Sequence, residues 1–244
     1  LCRSTTASAV ATSTRCSPDD GANLARCFPG DPSAEPTSAL AALIATHVIA
    51  PADAVVDLHS GGTALTCPIF AGYTDSPGGL GARARDLATA FGAPVVWRHE
   101  PPTPPGRTMT FAEQRGIPGI YAEAGGGTYP PADVLDAYRE GVLRVMGALG
   151  MIANAPPPSE PQIRLVGNGD LDNAVSAPAS GICTRRVDAL DRIDRGTVCF
   201  EIHDLDGKLL AAVKSATSGI AVFVRRSRWV EAGELLMATA SEDL

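Results

Sequence analysis

Two hydrophobic patterns alternate along the first 150 residues of the chain. Three segments place apolar residues at helical spacing: 38–50, for which Ser38 is the predicted N-cap, 78–92, which ends at Gly92, and 131–150, which ends at Gly150. Shorter apolar runs between them indicate buried strands at 53–62, 93–99 and 116–127. This alternation predicts an α/β fold with a mostly parallel central sheet and flanking helices.

The pattern changes after a proline-rich segment, ANAPPPSEPQ at 153–162, which we interpret as a linker. Beyond it, 176–202 resembles 215–239: each begins with Ser-Ala, continues through Ser-Gly-Ile and basic residues, and reaches Gly before an apolar strand. Two similar halves predict a small all-β sandwich or barrel. We therefore divide the chain into an α/β domain (1–152), a linker (153–162) and a β domain (163–244).

Composition narrows the possible functions. The 244 residues are 45% hydrophobic and carry a formal net charge of −7, which disfavours general nucleic-acid binding. No apolar run approaches the ~18 residues of a membrane span. The chain starts at Leu1 without a signal-peptide pattern, which suggests a cut, processed or incompletely represented start. The six cysteines form no C-x-x-C pair, so we expect reduced thiols in a cytoplasmic protein.

The segment VVDLHSGG (55–62) carries the first candidate for chemistry. His59 follows a predicted strand of a parallel sheet, where ligand sites gather, and Gly61 and Gly62 leave space beside it. A single histidine is often structural, but this position favours a functional role. Asp57 lies two residues earlier on the same face of the strand, where its carboxylate could orient the imidazole.

Two further segments carry charged candidates. YAEAGGG repeats the arrangement of an apolar strand, one charged residue and glycines, which makes Glu123 a candidate general base rather than a solvated strand end. The loop at 14–32 is dense in turn-forming residues and carries Arg15 and Arg26. An arginine on such a loop can hold a carboxylate through two parallel hydrogen bonds; Arg15 could equally belong to a solvated surface loop.

Together these segments resemble the zinc-dependent succinylglutamate desuccinylase/aspartoacylase family, a branch of the metallocarboxypeptidase superfamily. SPDDGANLARCFPG is similar to its Asp-Gly-x-Asn-Leu-Asn-Arg-x-Phe-Pro-Gly segment, DLHSGG to its second metal-binding motif, and GIPGIYAEAGGG to its catalytic-glutamate strand. The resemblance covers nearly the whole chain and is closest to the N-acetyl-diaminobutyrate deacetylase-like subgroup.

The resemblance implies a role for each matching position. His59 would be a ligand of Zn²⁺, and Glu123 the general base that activates water. Arg15 would polarise the scissile carbonyl or meet the oxyanion, while Arg26 and Asn23 would bind the substrate carboxylate. The implied reaction is zinc-dependent hydrolysis of the amide bond of a small N-acyl amino acid.

The sequence departs from the family pattern twice. Ala25 stands where the family has an Asn beside the substrate-binding Arg, which removes one expected hydrogen bond. The family also places two zinc ligands in a His-x-x-Glu motif upstream of the arginine loop, and no such motif precedes Arg15. We expect a segment removed from this chain, or a separate polypeptide, to supply them, and we treat His47, His99 and His203 as structural.

Several alternatives stay open at this point. The chain could be a carboxypeptidase acting on short peptides, or a metal-free relative that binds a ligand without hydrolysing it. The repeated β domain also resembles biotinyl and lipoyl carrier domains, with Lys208 near the hairpin. The neighbours Gly207 and Leu209 do not match a carrier lysine, so an ordinary turn is favoured. We expect this domain to limit substrate size or to assist assembly, for which a homo-oligomer is one form.

Overall fold

A computed structural model of the chain describes residues 7–127, 130–171 and 174–243. Its α-helices are α1 (Ala7–Thr12), α2 (Pro36–Ile44), α3 (Leu80–Phe91), α4 (Thr108–Gln114) and α5 (Ala132–Ala148). A 3-10 turn covers Leu24–Arg26, and α2 continues into a π-helical turn at Ala45–Ile49. None of these helices combines the length and hydrophobicity that crossing a membrane requires.

The strands of the described ranges divide between the two parts of the chain. The first five are β1 (Val55–Leu58), β2 (Leu65–Thr74), β3 (Val95–His99), β4 (Gly119–Gly125) and β5 (Ile163–Val166). The remaining eight are β6 (Val175–Ser176), β7 (Gly181–Arg185), β8 (Arg192–Ile193), β9 (Val198–His203), β10 (Leu209–Lys214), β11 (Gly219–Arg225), β12 (Trp229–Val230) and β13 (Leu235–Glu242).

The central sheet has the order β1-β4-β2-β3-β5 and then continues into β13 and β11. The β1–β4, β2–β3 and β3–β5 pairs are parallel and the β2–β4 pair is antiparallel, so the predicted mostly parallel sheet is confirmed. Because β5 joins this sheet and pairs with β13, the sheet extends past the proline-rich segment. The division of the chain at 153–162 stays a prediction.

Alternate residues of the central strands bury two different faces. Val96 on β3 packs in a core cluster with Leu87 and Phe91 of α3 and Val145 of α5. The neighbouring Trp97 points to the opposite face. There it shares a second cluster with residues of β11 and β13. Helices α3 and α5 therefore cover one face of the sheet. Strands of the repeated part lie on the other face, as does α4, which packs in a third cluster with Val55 of β1.

The two similar sequence segments form equivalent strand sets that exchange their short strands. In the first half, β7 pairs with β9, and in the second half β11 pairs with β13. The short strand β12 pairs with β7 of the first half, while β8 pairs with β11 of the second. The registers match, since Gly181 faces Val230 and Gly219 faces Ile193. In the structure the two similar segments thus form an interlocked pair of β units.

Of the predicted helix ends, one is confirmed and one is wrong, and one strand was not predicted. Gly92 closes α3 in the left-handed conformation, with φ of 77°, as predicted. Ser38 as an N-cap was wrong: the helix begins at Pro36, and the Ser38 hydroxyl accepts a hydrogen bond from the Asp31 N–H at 3.0 Å. Strand β2 was not predicted. It contains Pro68 next to a register shift and is largely buried, so its sequence lacks the alternation that marks a half-exposed strand.

Candidate active site

His59 lies immediately after β1, and its backbone is held from two sides. Its N–H donates to the carbonyl oxygen of Ala122 on β4 at 2.8 Å, and its own carbonyl accepts the Tyr138 hydroxyl from α5 at 2.6 Å. The glycine at 61 is required by packing, because a Cβ there would lie 2.6 Å from the carbonyl oxygen of Gly125. The loop therefore fixes where the imidazole can point.

The two nitrogens of His59 face different carboxylates. Nε2 lies 2.9 Å from an Asp57 oxygen, and that same oxygen accepts a hydrogen bond from the Thr108 hydroxyl at the start of α4. Because an ionised carboxylate only accepts, this contact places a proton on Nε2. Nδ1 lies 3.9 Å from Oε1 of Glu123. The predicted orientation of His59 by Asp57 is present in the structure, and it directs Nδ1 toward Glu123.

His59 and Asp57 each change the pKa of the other. Burial alone would lower the pKa of His59, but the hydrogen bond with Asp57 and the negative charges of Asp57 and Glu123 raise it to about 9. Burial would likewise raise the pKa of Asp57, yet the hydrogen bond and the charge of His59 hold that pKa below its usual value. In the absence of a metal, His59 and Asp57 therefore form an ion pair near neutral pH.

Glu123 is buried on β4, with 10% of its side chain exposed. Burial raises the pKa of its carboxyl to about 7, while the charges of His59, Arg15 and Arg26 partly oppose that rise. Within the described residues, Oε2 is buried and has no hydrogen-bond partner. An unpartnered carboxylate oxygen with a pKa near neutrality is suited to taking and giving a proton.

A cavity of about 310 Å³ brings the predicted site residues together: it is lined by His59, Glu123, Arg15, Asn23 and Arg26. Two anchors hold the loop that carries the last three. Asp20 accepts hydrogen bonds from the N–H and the hydroxyl of Thr37 on α2, both at 2.8 Å. Farther along, the N–H of Phe28 donates to the carbonyl oxygen of Gly106 at 3.1 Å. A Cβ at Gly106 would lie 2.4 Å from the carbonyl oxygen of Arg26.

Asn23 and Ala25 define the polar side of this loop. The Oδ1 atom of Asn23 accepts the N–H of Ala25 at 3.1 Å and caps the 3-10 turn, which leaves the amide NH₂ as its donor group. Ala25 also lines the cavity, so the family's missing amide would have faced the same space.

Three residues that had not been predicted to belong to the site reach the cavity from distant segments. His99, which we treated as structural, lines it together with Tyr121 and Arg107. Its Nε2 lies 2.7 Å from the Tyr121 hydroxyl. Gly72 leaves the space that the Tyr121 ring occupies, but it lies on β2, whose sequence does not mark it as a strand, so no local signal indicated this contact. His47 and His203 do not line the cavity.

The donor set for a metal is incomplete within the described ranges. No group of three or more His, Cys, Asp or Glu side chains there could hold an ion. His59 thus offers one nitrogen to a cation, with a carboxylate opposite it.

Comparison with known proteins identifies the family. The model of the succinylglutamate desuccinylase/aspartoacylase catalytic domain matches residues 6–149, which is more than half of the chain. The chain belongs to the succinylglutamate desuccinylase/aspartoacylase family. The resemblance inferred from the three motifs is therefore confirmed.

The N-alpha-acetyl-L-2,4-diaminobutyric acid deacetylase of Halomonas elongata is a relative with 30% identity over 205 residues. The alignment covers 82% of this chain, and the chain spans 59% of the relative's length.

Solved structures of the same family share the fold. The product-bound ectoine utilization protein EutE (DoeB) of Ruegeria pomeroyi is 23% identical, with a TM-score of 0.88, over 98% of this chain and 73% of that protein. The succinylglutamate desuccinylase/aspartoacylase of Rhodobacter sphaeroides is 24% identical, with a TM-score of 0.86, over 98% and 73% of the two chains. The predicted α/β sheet with an added β unit is the family's architecture.

Proposed function

We propose that this chain forms the larger part of a zinc-dependent amidohydrolase that cleaves the amide bond of small N-acyl amino acids. The observation that carries the proposal is the opposition of His59 Nδ1 and Glu123 Oε1, 3.9 Å apart on the wall of a cavity that also holds Arg15 and Arg26. Membership in a family of desuccinylases and aspartoacylases supports it.

The described residues do not form a zinc site on their own. A catalytic zinc takes three protein ligands and leaves one position open, whereas this site presents His59 Nδ1 as its single well-placed donor. We propose that two more ligands come from polypeptide outside these residues, either a connected segment or a second chain. When bound, the ion would supply Lewis-acid activation of water and of the amide carbonyl.

Glu123 is the proposed general base. Its carboxylate would remove a proton from the attacking water as the new C–O bond forms. The same proton would pass to the amide nitrogen as the C–N bond breaks, so that a carboxylate and an amine leave the site. The pKa of about 7 suits both transfers, because a group with that value exchanges protons readily at neutral pH.

The loop residues would hold the rest of the substrate. The charge of Arg15 lowers the pKa of both Glu123 and His59, which supports a role in stabilising the negative charge that would develop on the carbonyl oxygen. Arg26 and the amide NH₂ of Asn23 would bind the substrate carboxylate. With Ala25 beside them, this carboxylate would have one polar partner fewer than in relatives that carry Asn there.

A test combines metal content with turnover. The purified chain, alone and mixed with a polypeptide that carries the His-x-x-Glu segment, is assayed on N-acetyl amino acids and on dipeptides. Zinc near one equivalent and hydrolysis of the N-acyl substrates are expected with the complementing segment. His59→Ala should lose both, whereas His47→Ala, an exposed imidazole on the π-helical turn, should keep both.

Other outcomes would identify the alternatives. Faster cleavage of dipeptides would indicate a carboxypeptidase. Absence of zinc in the complemented protein, together with binding of N-acyl amino acids, would indicate a binding protein. The cytoplasmic location and a possible homo-oligomer stay predictions.

A further inference from the structure

A tyrosine and a histidine that have no part in the proposed proton transfer form a paired wall of the cavity. Tyr121 on β4 precedes Glu123 by two residues and therefore projects from the same face of the strand. Its hydroxyl lies 2.7 Å from His99 Nε2, and the two rings stack with centroids 5.6 Å apart. Both residues line the cavity beside His59.

The residues around Tyr121 and His99 leave little free space beside the two rings. A Cβ at Gly72 would lie 2.2 Å from the Tyr121 ring, and a Cβ at Gly169 would lie 2.5 Å from the His99 ring. Phe70 packs edge-on against Tyr121, with centroids 5.6 Å apart. Two glycines and an aromatic neighbour thus fix the phenol in one position.

The hydrogen bonds of the pair run in one direction. His99 Nδ1 lies 2.8 Å from the carbonyl oxygen of Gly167, which can only accept, so Nδ1 carries the proton. Burial lowers the pKa of His99 to about 4, so the ring is neutral and Nε2 accepts. The Tyr121 hydroxyl must therefore donate its proton to His99.

Because the Tyr121 hydroxyl donates its one proton to His99, its oxygen can only accept a hydrogen bond from a ligand. Within the described ranges, the Tyr121 oxygen has no second hydrogen-bond partner. The other charged side chains that line the cavity are three arginines, which can only donate, and His59 and Glu123, which the proposed reaction uses. Tyr121 thus presents the cavity with an unfilled acceptor outside the groups assigned to chemistry.

We propose that Tyr121 determines substrate specificity by accepting a hydrogen bond from an N–H or O–H donor on the side chain of the amine half. This inference rests on the proposed function. His99 is a positioning residue that imposes the acceptor orientation on the phenol. The preferred substrates are then N-acyl amino acids whose side chain ends in an amine or a hydroxyl, rather than those with a purely apolar side chain.

The test uses binding, so that it does not depend on turnover. Calorimetry compares L-2,4-diaminobutyrate, L-homoserine and L-norvaline, whose side chains have equal length and end in ammonium, hydroxyl and methyl groups. The wild-type chain should bind the ammonium compound about 10-fold or more tighter than norvaline, with homoserine between them. Tyr121→Phe should remove most of this preference. Tyr138→Phe, whose hydroxyl contacts the His59 backbone, should retain it.

Variants of His99 separate recognition from packing. His99→Gln keeps an acceptor for the phenol proton and should retain the preference, whereas His99→Leu should reduce it. Equal affinities for the three compounds in the wild type would overturn the inference, as would an equal loss for all three in Tyr121→Phe. Arg26→Ala tests the proposed function separately, because it should weaken all three alike. If no compound binds to the wild type, both proposals fail.

Discussion

The two parts of the chain complete their sheets in opposite ways. In the repeated part, each half gives its short strand to the other, so β12 closes on β7 and β8 closes on β11. In the α/β part, β1 pairs with β4 on one side only within the described residues, and Leu58 at its end is 46% exposed. Residue 59, the proposed zinc ligand, follows that strand directly.

The β repeat and the proposed metal site differ in where their partners come from. The β repeat obtains its pairing partners from within the described chain, and a buried cluster that includes Phe200 and Leu236 fills its interior. The proposed metal site instead lies beside an open strand edge and has one ligand in place. The strand pairing of the β repeat is therefore complete within the described residues, whereas the proposed metal site needs two further ligands.

The strongest challenge to this contrast is Glu123→Gln. In the protein complemented with the His-x-x-Glu segment, loss of the general base should lower turnover by about 10²–10⁴-fold without unfolding the chain or removing zinc. Steady-state kinetics, thermal melting and metal analysis measure the three effects. Loss of zinc in this variant would show that Glu123 is a ligand rather than a base.

Arg26→Ala should act on substrate binding alone. Because a charge-assisted hydrogen bond contributes about 1.5–3 kcal/mol, kcat/KM for carboxylate-bearing substrates should fall about 10- to 100-fold. Substrates whose carboxylate is replaced by a neutral amide should change little. Equal losses on both would argue against a carboxylate clamp.

Gly181→Ala and Gly219→Ala probe the other side of the comparison. A Cβ at these equivalent positions would lie 2.4 Å from the His203 carbonyl oxygen and 2.6 Å from that of Ala240. Each substitution should therefore lower the free energy of unfolding by about 1–3 kcal/mol, to a similar extent. Chemical denaturation measures the loss, and a large difference between the two would contradict the equivalence of the halves.

The pH dependence of stability sharpens the comparison at the site. The pKa of Glu123 rises from 4.5 to about 7 on folding, so the folded state binds this proton more tightly than the unfolded state does. Wild-type stability should therefore fall relative to Glu123→Gln as pH rises through 4.5–7, by about 1–3 kcal/mol in the metal-free chain. Denaturation at pH 4.5 and pH 8 measures it, and a constant difference would refute the raised pKa.

The sequence predicted the site where its signals were local. His59 and Glu123 each lie in a short motif at the end of a predicted strand, and the two arginines lie in a short motif of a turn-rich loop. All four residues line the cavity. The repeated halves were visible for the same reason, since their matching residues recur in one order.

Long-range contacts explain what sequence reasoning missed. Tyr121 and His99 lie on β4 and β3, which are separated by β2, and their rings meet across Gly72, where no side chain intervenes. The hydrophobic pattern along one strand does not indicate a contact between side chains of two different strands. The exchange of β8 and β12 was hidden for a related reason, because each strand has only two residues and its partner lies in the other half.

The exchanged strands also set an order of events during synthesis. One edge of β7 pairs with β9 of the same half, but its other edge, at residues 181–182, gains a partner only when 229–230 have left the ribosome. A nascent chain that stalls between the first half and the second would expose the unpaired edge of β7. A chaperone or a protease would be expected to bind at that edge.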